Sequence, residues 1–170
     1  VDYYAFAMCD RLQRVSFAEG NQLKGIYEGA FYACPNLYDI TLPDAIVEIS
    51  DFAFYGCISL DRLPINETNQ LKGIYDYAFA YTGIEELTLP ATLYDIGPYS
   101  FMGVRVNTVT VPDANKEELM IGIGAFEDCT ALEKITLPFI GASFEDHYIP
   151  CFGYIFGAGG ADANAAYVPE

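Results

Sequence analysis

Residues 121–138 read Ile-Gly-Ile-Gly-Ala-Phe-Glu-Asp-Cys-Thr-Ala-Leu-Glu-Lys-Ile-Thr-Leu-Pro. The unit is a small residue, then Phe, then Cys three residues on, then an alternating run that ends in Leu-Pro. Its small-Phe core recurs as Ala5-Phe6, Ala30-Phe31, Ala53-Phe54, Ala78-Phe79, Ser100-Phe101 and Ala125-Phe126, with gaps between Phe residues of 25, 23, 25, 22 and 25. A period of this size marks stacked repeats, each burying its apolar side against the next.

Aligning on Phe brings a second register into view. Leu12–Phe17, Leu37–Pro43, Leu60–Ile65, Ile84–Pro90, Val106–Pro112 and Leu132–Pro138 all carry apolar residues at positions one, four and six. Positions four and six alternate with a polar residue, as a half-buried strand requires. The closing Pro lacks an N–H and ends pairing. Because each unit retraces one path, neighbouring strands run parallel, about 4.8 Å apart. The fold predicted is a right-handed leucine-rich-repeat solenoid. It has a single parallel β-sheet on one face and short turns, 3-10 or helical turns on the other.

The connectors alternate. Gly20–Gly25 and Asn66–Gly73 both contain Asn-Gln-Leu-Lys-Gly followed by Ile-Tyr, whereas Pro43–Glu48 and Pro90–Asp95 are shorter. The unit is therefore doubled. The fifth connector, Pro112–Gly122, places Leu119 and Ile121 two apart rather than three, which predicts a bulge or protruding loop.

The pattern Ile-Gly-x-x-Ala-Phe-x-x-Cys-x-x-Leu-x-x-Ile-x-Leu-Pro resembles the BspA-like (Treponema-type) leucine-rich repeat. It covers residues 1–138 as six repeats. Residues 139–170, with Phe152-Gly-Tyr-Ile-Phe-Gly-Ala, resemble a segment that follows such repeats in surface proteins of gut-type Firmicutes. They are expected to extend and cap the same solenoid, incompletely, because in those relatives another strand follows Tyr-Val-Pro. The resemblance implies an extracellular or cell-surface protein that binds or adheres without catalysis. Its partner would be a host or bacterial surface protein or a glycan. The alternatives are a spacer without a ligand, or the docking arm of an enzyme whose catalytic domain lies elsewhere. The chain opens at Val1 inside a repeat, so it is expected to be a piece of a larger protein, and neither its export route nor its oligomeric state is legible.

The composition narrows this. At 52% hydrophobic and 15% aromatic the chain can bury an ordered core. No run approaches the roughly 18 apolar residues of a membrane span. A formal charge of −16 repels phosphate backbones and anionic membranes.

Residues that could carry chemistry are few. Cys9, Cys34, Cys57 and Cys129 share one slot, which holds Thr82 and Val104 in the other two repeats. A metal or redox ladder would not accept Thr or Val, so these are expected to be buried free thiols. Cys151 lies outside the ladder. His147 is the only histidine and no nucleophile motif accompanies it. There is no Asp-x-Asp-x-Asp-Gly metal loop. Gly157–Gly160 lacks the Lys-Ser/Thr of a phosphate loop. Asn66-Glu67-Thr68 is a glycosylation sequon that carries no weight in a bacterial protein. No cofactor, metal or catalytic residue is implied.

Register predicts the outward columns. Arg14, Asp39, Arg62 and Glu86, continuing to Thr108 and Lys134, form a structural ladder of alternating charge. Ser16, Thr41, Thr88, Thr110 and Thr136 form a hydroxyl strip broken by Pro64. The strip reads either as strand propensity or as a hydrogen-bonding surface for a protein or glycan. Tyr77 and Tyr99 belong to a column two before each Phe, and Tyr27 and Tyr75 flank it. These tyrosines read as a core edge with a wet tip, or as a stacking platform for sugars or prolines. The six repeat Phe residues are assigned wholly to the core.

Overall fold

A computed structural model describes residues 1–65, 69–112, 118–138 and 152–157. The chain winds as a solenoid whose turns are joined by parallel ladders. One ladder follows the predicted runs: β1 (Arg14–Val15), β3 (Asp39–Ile40), β6 (Glu86–Thr88), β8 (Thr108–Thr110) and β10 (Lys134–Thr136). β1 pairs with β3, and β6 with β8 and then β10, all parallel and in the expected register. Between β3 and β6 only a single bridge, Arg62 to Glu86, continues the sheet. The break falls at Pro64, which has no N–H. Its carbonyl still accepts from the Leu42 N–H at 2.7 Å. Pro64 is itself buried and so leaves the outward strip.

The connectors carry a second parallel sheet: β2 (Gly25–Ile26), β4 (Glu48–Ile49), β5 (Gly73–Ile74), β7 (Asp95–Ile96) and β9 (Met120–Ile121). Its core column is Ile26, Ile49, Ile74, Ile96 and Ile121, none more than 1% exposed. In the fifth connector Leu119 and Ile121 both reach the core across exposed Met120. A route of different length thus delivers the same core contacts. The loop expected there falls on residues 113–117, outside the described residues.

The third side holds the Phe turns. Five rings, Phe31, Phe54, Phe79, Phe101 and Phe126, are fully buried. With Phe6 they form one stack, centroids 5.2–5.8 Å apart and planes within 13° of parallel. Phe6 departs from its assignment to the core, being 41% exposed as the first ring of the stack. The residues two before and two after each Phe take positive φ, for example Tyr77 and Tyr81 at 56° around Phe79. This handedness turns alternate N–H groups toward the next repeat. Around Phe54, the amides of Phe52, Phe54 and Gly56 donate to the carbonyls of Asp76, Ala78 and Ala80 at 2.8–2.9 Å. A 3-10 turn, Phe152–Phe156, continues this ladder. Tyr154 and Ile155 carbonyls accept from Gly124 and Phe126, and Ile155 joins the core.

Two stability predictions follow from the stack. Phe79→Ala should cost about 3–5 kcal/mol in urea unfolding, because it opens a cavity between two rings; Phe6→Ala should cost much less. Ser100 occupies the slot that is Ala in the other five repeats, and its buried Oγ lacks a hydrogen-bond partner. Ser100→Ala should therefore raise stability by about 1 kcal/mol, since a buried hydroxyl loses its water without gaining a substitute.

Candidate functional site

The outward columns distribute over the three sides of the solenoid rather than gathering at one place. On the first sheet the register sets Arg14 beside Asp39 and Arg62 beside Glu86. All four side chains are exposed. Asp39 and Arg62 are not paired, because the sheet breaks between them. At such exposure each lateral neighbour contributes at most about 1 kcal/mol. Ser16, Thr41, Thr88 and Thr136 are exposed and Thr110 is half-buried. In β6 the burial alternates strictly, with Leu87 inward between exposed Glu86 and Thr88.

Tyr27 and Tyr75 belong to the second sheet. Each ring folds back over the glycine two residues earlier, so that a Cβ on Gly25 or Gly73 would lie about 3 Å from ring carbons. Between and beside them stand Glu48 and Asp95, in register with those glycines.

Tyr77 and Tyr99 lie on the turn side within a continuous aromatic patch. Tyr77 is held between Phe52 and Tyr99, with centroids 5.0 and 4.8 Å away and planes within 16°. Tyr55 contacts Phe52, Tyr32 and Tyr81 at 5.9, 5.2 and 5.5 Å. Tyr4 reaches Tyr32 at 6.4 Å and its hydroxyl donates to Glu28 Oε1 at 2.8 Å. These seven rings are half-buried or exposed. Phe52, Tyr77 and Tyr99 stack face to face, as do Tyr32 and Tyr55, whereas Tyr4 with Tyr32, Phe52 with Tyr55 and Tyr55 with Tyr81 meet edge-on or tilted. Burial raises the Tyr55, Tyr75 and Tyr77 phenols, so they stay neutral donors.

The column three before each Phe was not singled out from the sequence. It reads Tyr3, Glu28, Asp51, Asp76, Pro98 and Ile123, and sets carboxylates in adjacent turns. The signal was there in the same alignment, one position from the tyrosine column. The Asp76 N–H donates to Asp51 Oδ1 at 3.2 Å. Burial, with the Asp51 charge second, pushes the Asp76 carboxyl up. Burial, with Asp76 second, does the same to Asp95.

The cysteine slot serves the backbone. Cys34, Cys57 and Cys129 thiols donate to the carbonyls of Phe6, Phe31 and Phe101 in the preceding turn, at 2.9, 3.2 and 3.3 Å. Thr82 instead donates to Phe79 of its own turn at 2.9 Å. Cys9, Cys34, Cys57 and Cys129 are free thiols. Cys34 and Cys57 are buried, but Cys9 and Cys129 are only half-buried. Both stand near the ends of the stack, where fewer turns cover them. Burial pushes the Cys57 thiol up to about 12 and that of Cys129 to about 11. Neither thiol forms the thiolate a nucleophile or metal ligand needs at neutral pH. Among the described residues, no group of three His, Cys, Asp or Glu side chains could hold a metal ion. No helix among them is long and apolar enough to cross a membrane. Cys151 and His147 lie outside the described residues.

Two predictions arise here. Cys34 and Cys57 should resist a thiol reagent at mildly alkaline pH in the folded protein and react on denaturation; equal native reactivity of all thiols would contradict the burial. The second concerns pH. The folded pKa values of Asp76 and Asp95 lie above their unfolded value near 3.8, so the folded state binds more protons and stability rises as pH falls through the folded values. The gain is complete below the unfolded value. Asp76→Asn with Asp95→Asn should flatten the rise of Tm between neutral and mildly acidic pH.

Comparison with known proteins now identifies the architecture. A crystal structure of a leucine-rich-repeat protein from T. pallidum superposes with a TM-score of 0.69 at 30% identity, over 79% of this chain and 61% of that one. A leucine-rich-repeat protein from Bacteroides ovatus superposes with a TM-score of 0.58 at 27% identity, over 74% of this chain and 33% of that one. The chain thus spans less than two thirds of either relative. No curated protein matches it. The model of the BspA type leucine rich repeat region matches in six copies over residues 1–133 and 95–148. The chain belongs to the BspA-type leucine-rich-repeat family.

Proposed function

We propose that this chain is a non-enzymatic binding module of a bacterial cell-surface or secreted protein, and that it recognises a protein. The observation that carries the proposal is the patch of seven touching aromatic rings on the turn side, all part-exposed. Contiguous exposed apolar surface of this kind marks interaction sites. Family membership supports the surface setting, and the family is generally non-catalytic. A spacer needs the stack of Phe rings but has no use for tyrosines at its outer edge.

The geometry favours protein over glycan. Sugars dock on open ring faces, and here both faces of Tyr77 are covered by Phe52 and Tyr99, and Tyr32 and Tyr55 cover one face of each other. Tyrosine edges and hydroxyls, together with the hydroxyl strip on the first sheet, suit the mixed apolar and polar contacts of a protein interface. The test is saturable binding of this chain to a panel of host extracellular proteins and glycans, with two variants for mapping. Tyr55→Leu with Tyr81→Leu alters the turn face and retains apolar packing. Thr88→Ala with Thr136→Ala alters the first sheet. A protein ligand lost with the tyrosine variant is expected. A panel without saturable ligands favours the spacer, and ligands confined to glycans would overturn the choice of a protein.

A further inference from the structure

The turn side has a charge asymmetry that selects the kind of protein it fits. Take the six segments from three residues before each repeat Phe to three after it. They contain no Lys, Arg or His, although the chain has eight Lys and Arg residues and one His. The same segments contain Glu28, Asp51, Asp76, Glu127 and Asp128. At the centre of the patch, Phe52 and Tyr77 stack 5.0 Å apart. Asp51 and Asp76, the residues just before them, come from the same two adjacent turns and are linked by the 3.2 Å bond from the Asp76 N–H to Asp51 Oδ1. Like charges set one repeat apart oppose each other, and no cation from these segments answers them. The first sheet differs, because Asp39 and Glu86 have Arg14 and Arg62 as lateral neighbours there.

We propose that the turn face docks a partner protein through an arginine-bearing segment, a guanidinium bridging Asp51 and Asp76 while its aliphatic stem lies along the ring edges of Phe52, Tyr55 and Tyr77. This rests on the reading of the chain as a protein-binding module. Arginine suits the place better than lysine. Its planar fork of donors reaches two acceptors at once, it is less strongly hydrated than an ammonium, and its stem covers apolar surface. Association would neutralise the opposed carboxylates, so the charge that disfavours the free surface favours the complex. Nucleic acid is repelled by the same face. A sugar has less to dock on at the centre of the patch, where the Tyr77 ring is stacked on both faces.

The test uses this chain and a fluorescent arginine hexapeptide, compared with a lysine hexapeptide at physiological ionic strength. The arginine peptide should bind more tightly by about fivefold or more. Asp51→Asn with Asp76→Asn keeps the hydrogen-bonding shape, and should weaken arginine binding about tenfold. Asp39→Asn with Glu86→Gln makes the same charge change on the first sheet and should leave binding within about twofold, as expected for a remote exposed charge. Backbone amide shifts of the unsubstituted chain should move at residues 51–56 and 76–81 on titration. Equal losses from both double variants, equal affinity for the two peptides, or shifts spread over all faces would assign binding to net charge and overturn the proposal, as would absence of binding. A natural protein ligand lost only with the first-sheet variant would leave the binding-module reading standing and overturn this one.

Discussion

The whole solenoid depends on one recurring hydrogen bond. In every turn the amide of the central Phe donates to the carbonyl of the small residue before the next Phe, or to Ile155 at the end of the series, at 2.8–2.9 Å. That bond sets the turn-to-turn spacing, and the spacing brings successive rings to within 5.8 Å. It also explains the small residue. Ala30, Ala53, Ala78, Ser100 and Ala125 are wholly buried where adjacent turns meet, so a larger side chain would push the turns apart. The positive φ values on either side follow from the same demand. Left-handed backbone costs a non-glycine residue roughly 1–2 kcal/mol, yet Tyr, Phe, Met, Ala and Asp all adopt it here. Without it, alternate amides would not all face the next turn.

The cysteine slot is a side-chain supplement to this ladder. A thiol at that place reaches back to the preceding Phe carbonyl, and the interaction requires the protonated form. Thr82 shows that a hydroxyl can serve its own turn instead. Val104 shows that the slot tolerates no donor at all, being buried at 1% exposure. The slot is thus primarily a packing position with an optional hydrogen bond. This accounts for its mixed occupancy better than any chemistry of sulfur.

What was legible in the sequence was whatever the period repeats. The Phe column, the first-sheet register and the effect of Pro64 all come from comparing equivalent positions in successive units. The second sheet was not legible. Its strands are two residues long and two of them begin with glycine, a poor strand former, so no alternation could develop. The left-handed positions were hidden for a related reason. Gly29 and Gly124 hint at them, but Tyr4, Phe52, Tyr77 and Tyr99 share the column and do not ordinarily signal positive φ. The candidate surface was only partly legible because columns report position along the solenoid axis, whereas a binding site also depends on angle around it. The hydroxyls, Tyr27 with Tyr75, and Tyr77 with Tyr99 therefore fall on three different sides.

That separation constrains how such a chain can act. Each turn contacts only its neighbours, so stability is close to a sum of turn and interface contributions, and the ends open most readily. A surface near the middle of the stack is then the least mobile part of the molecule. The Asp51–Asp76 pair and the Phe52–Tyr77 centre of the aromatic patch occupy that middle, beneath which Phe54 and Phe79 are fully buried and stacked 5.2 Å apart. The ladder keeps the Asp51 and Asp76 backbones one turn apart, and the bond from the Asp76 N–H to Asp51 Oδ1 holds the Asp51 carboxylate at that junction. A cationic partner needs no rearrangement of the turns to meet it, and its binding would in turn stabilise the stack by mass action.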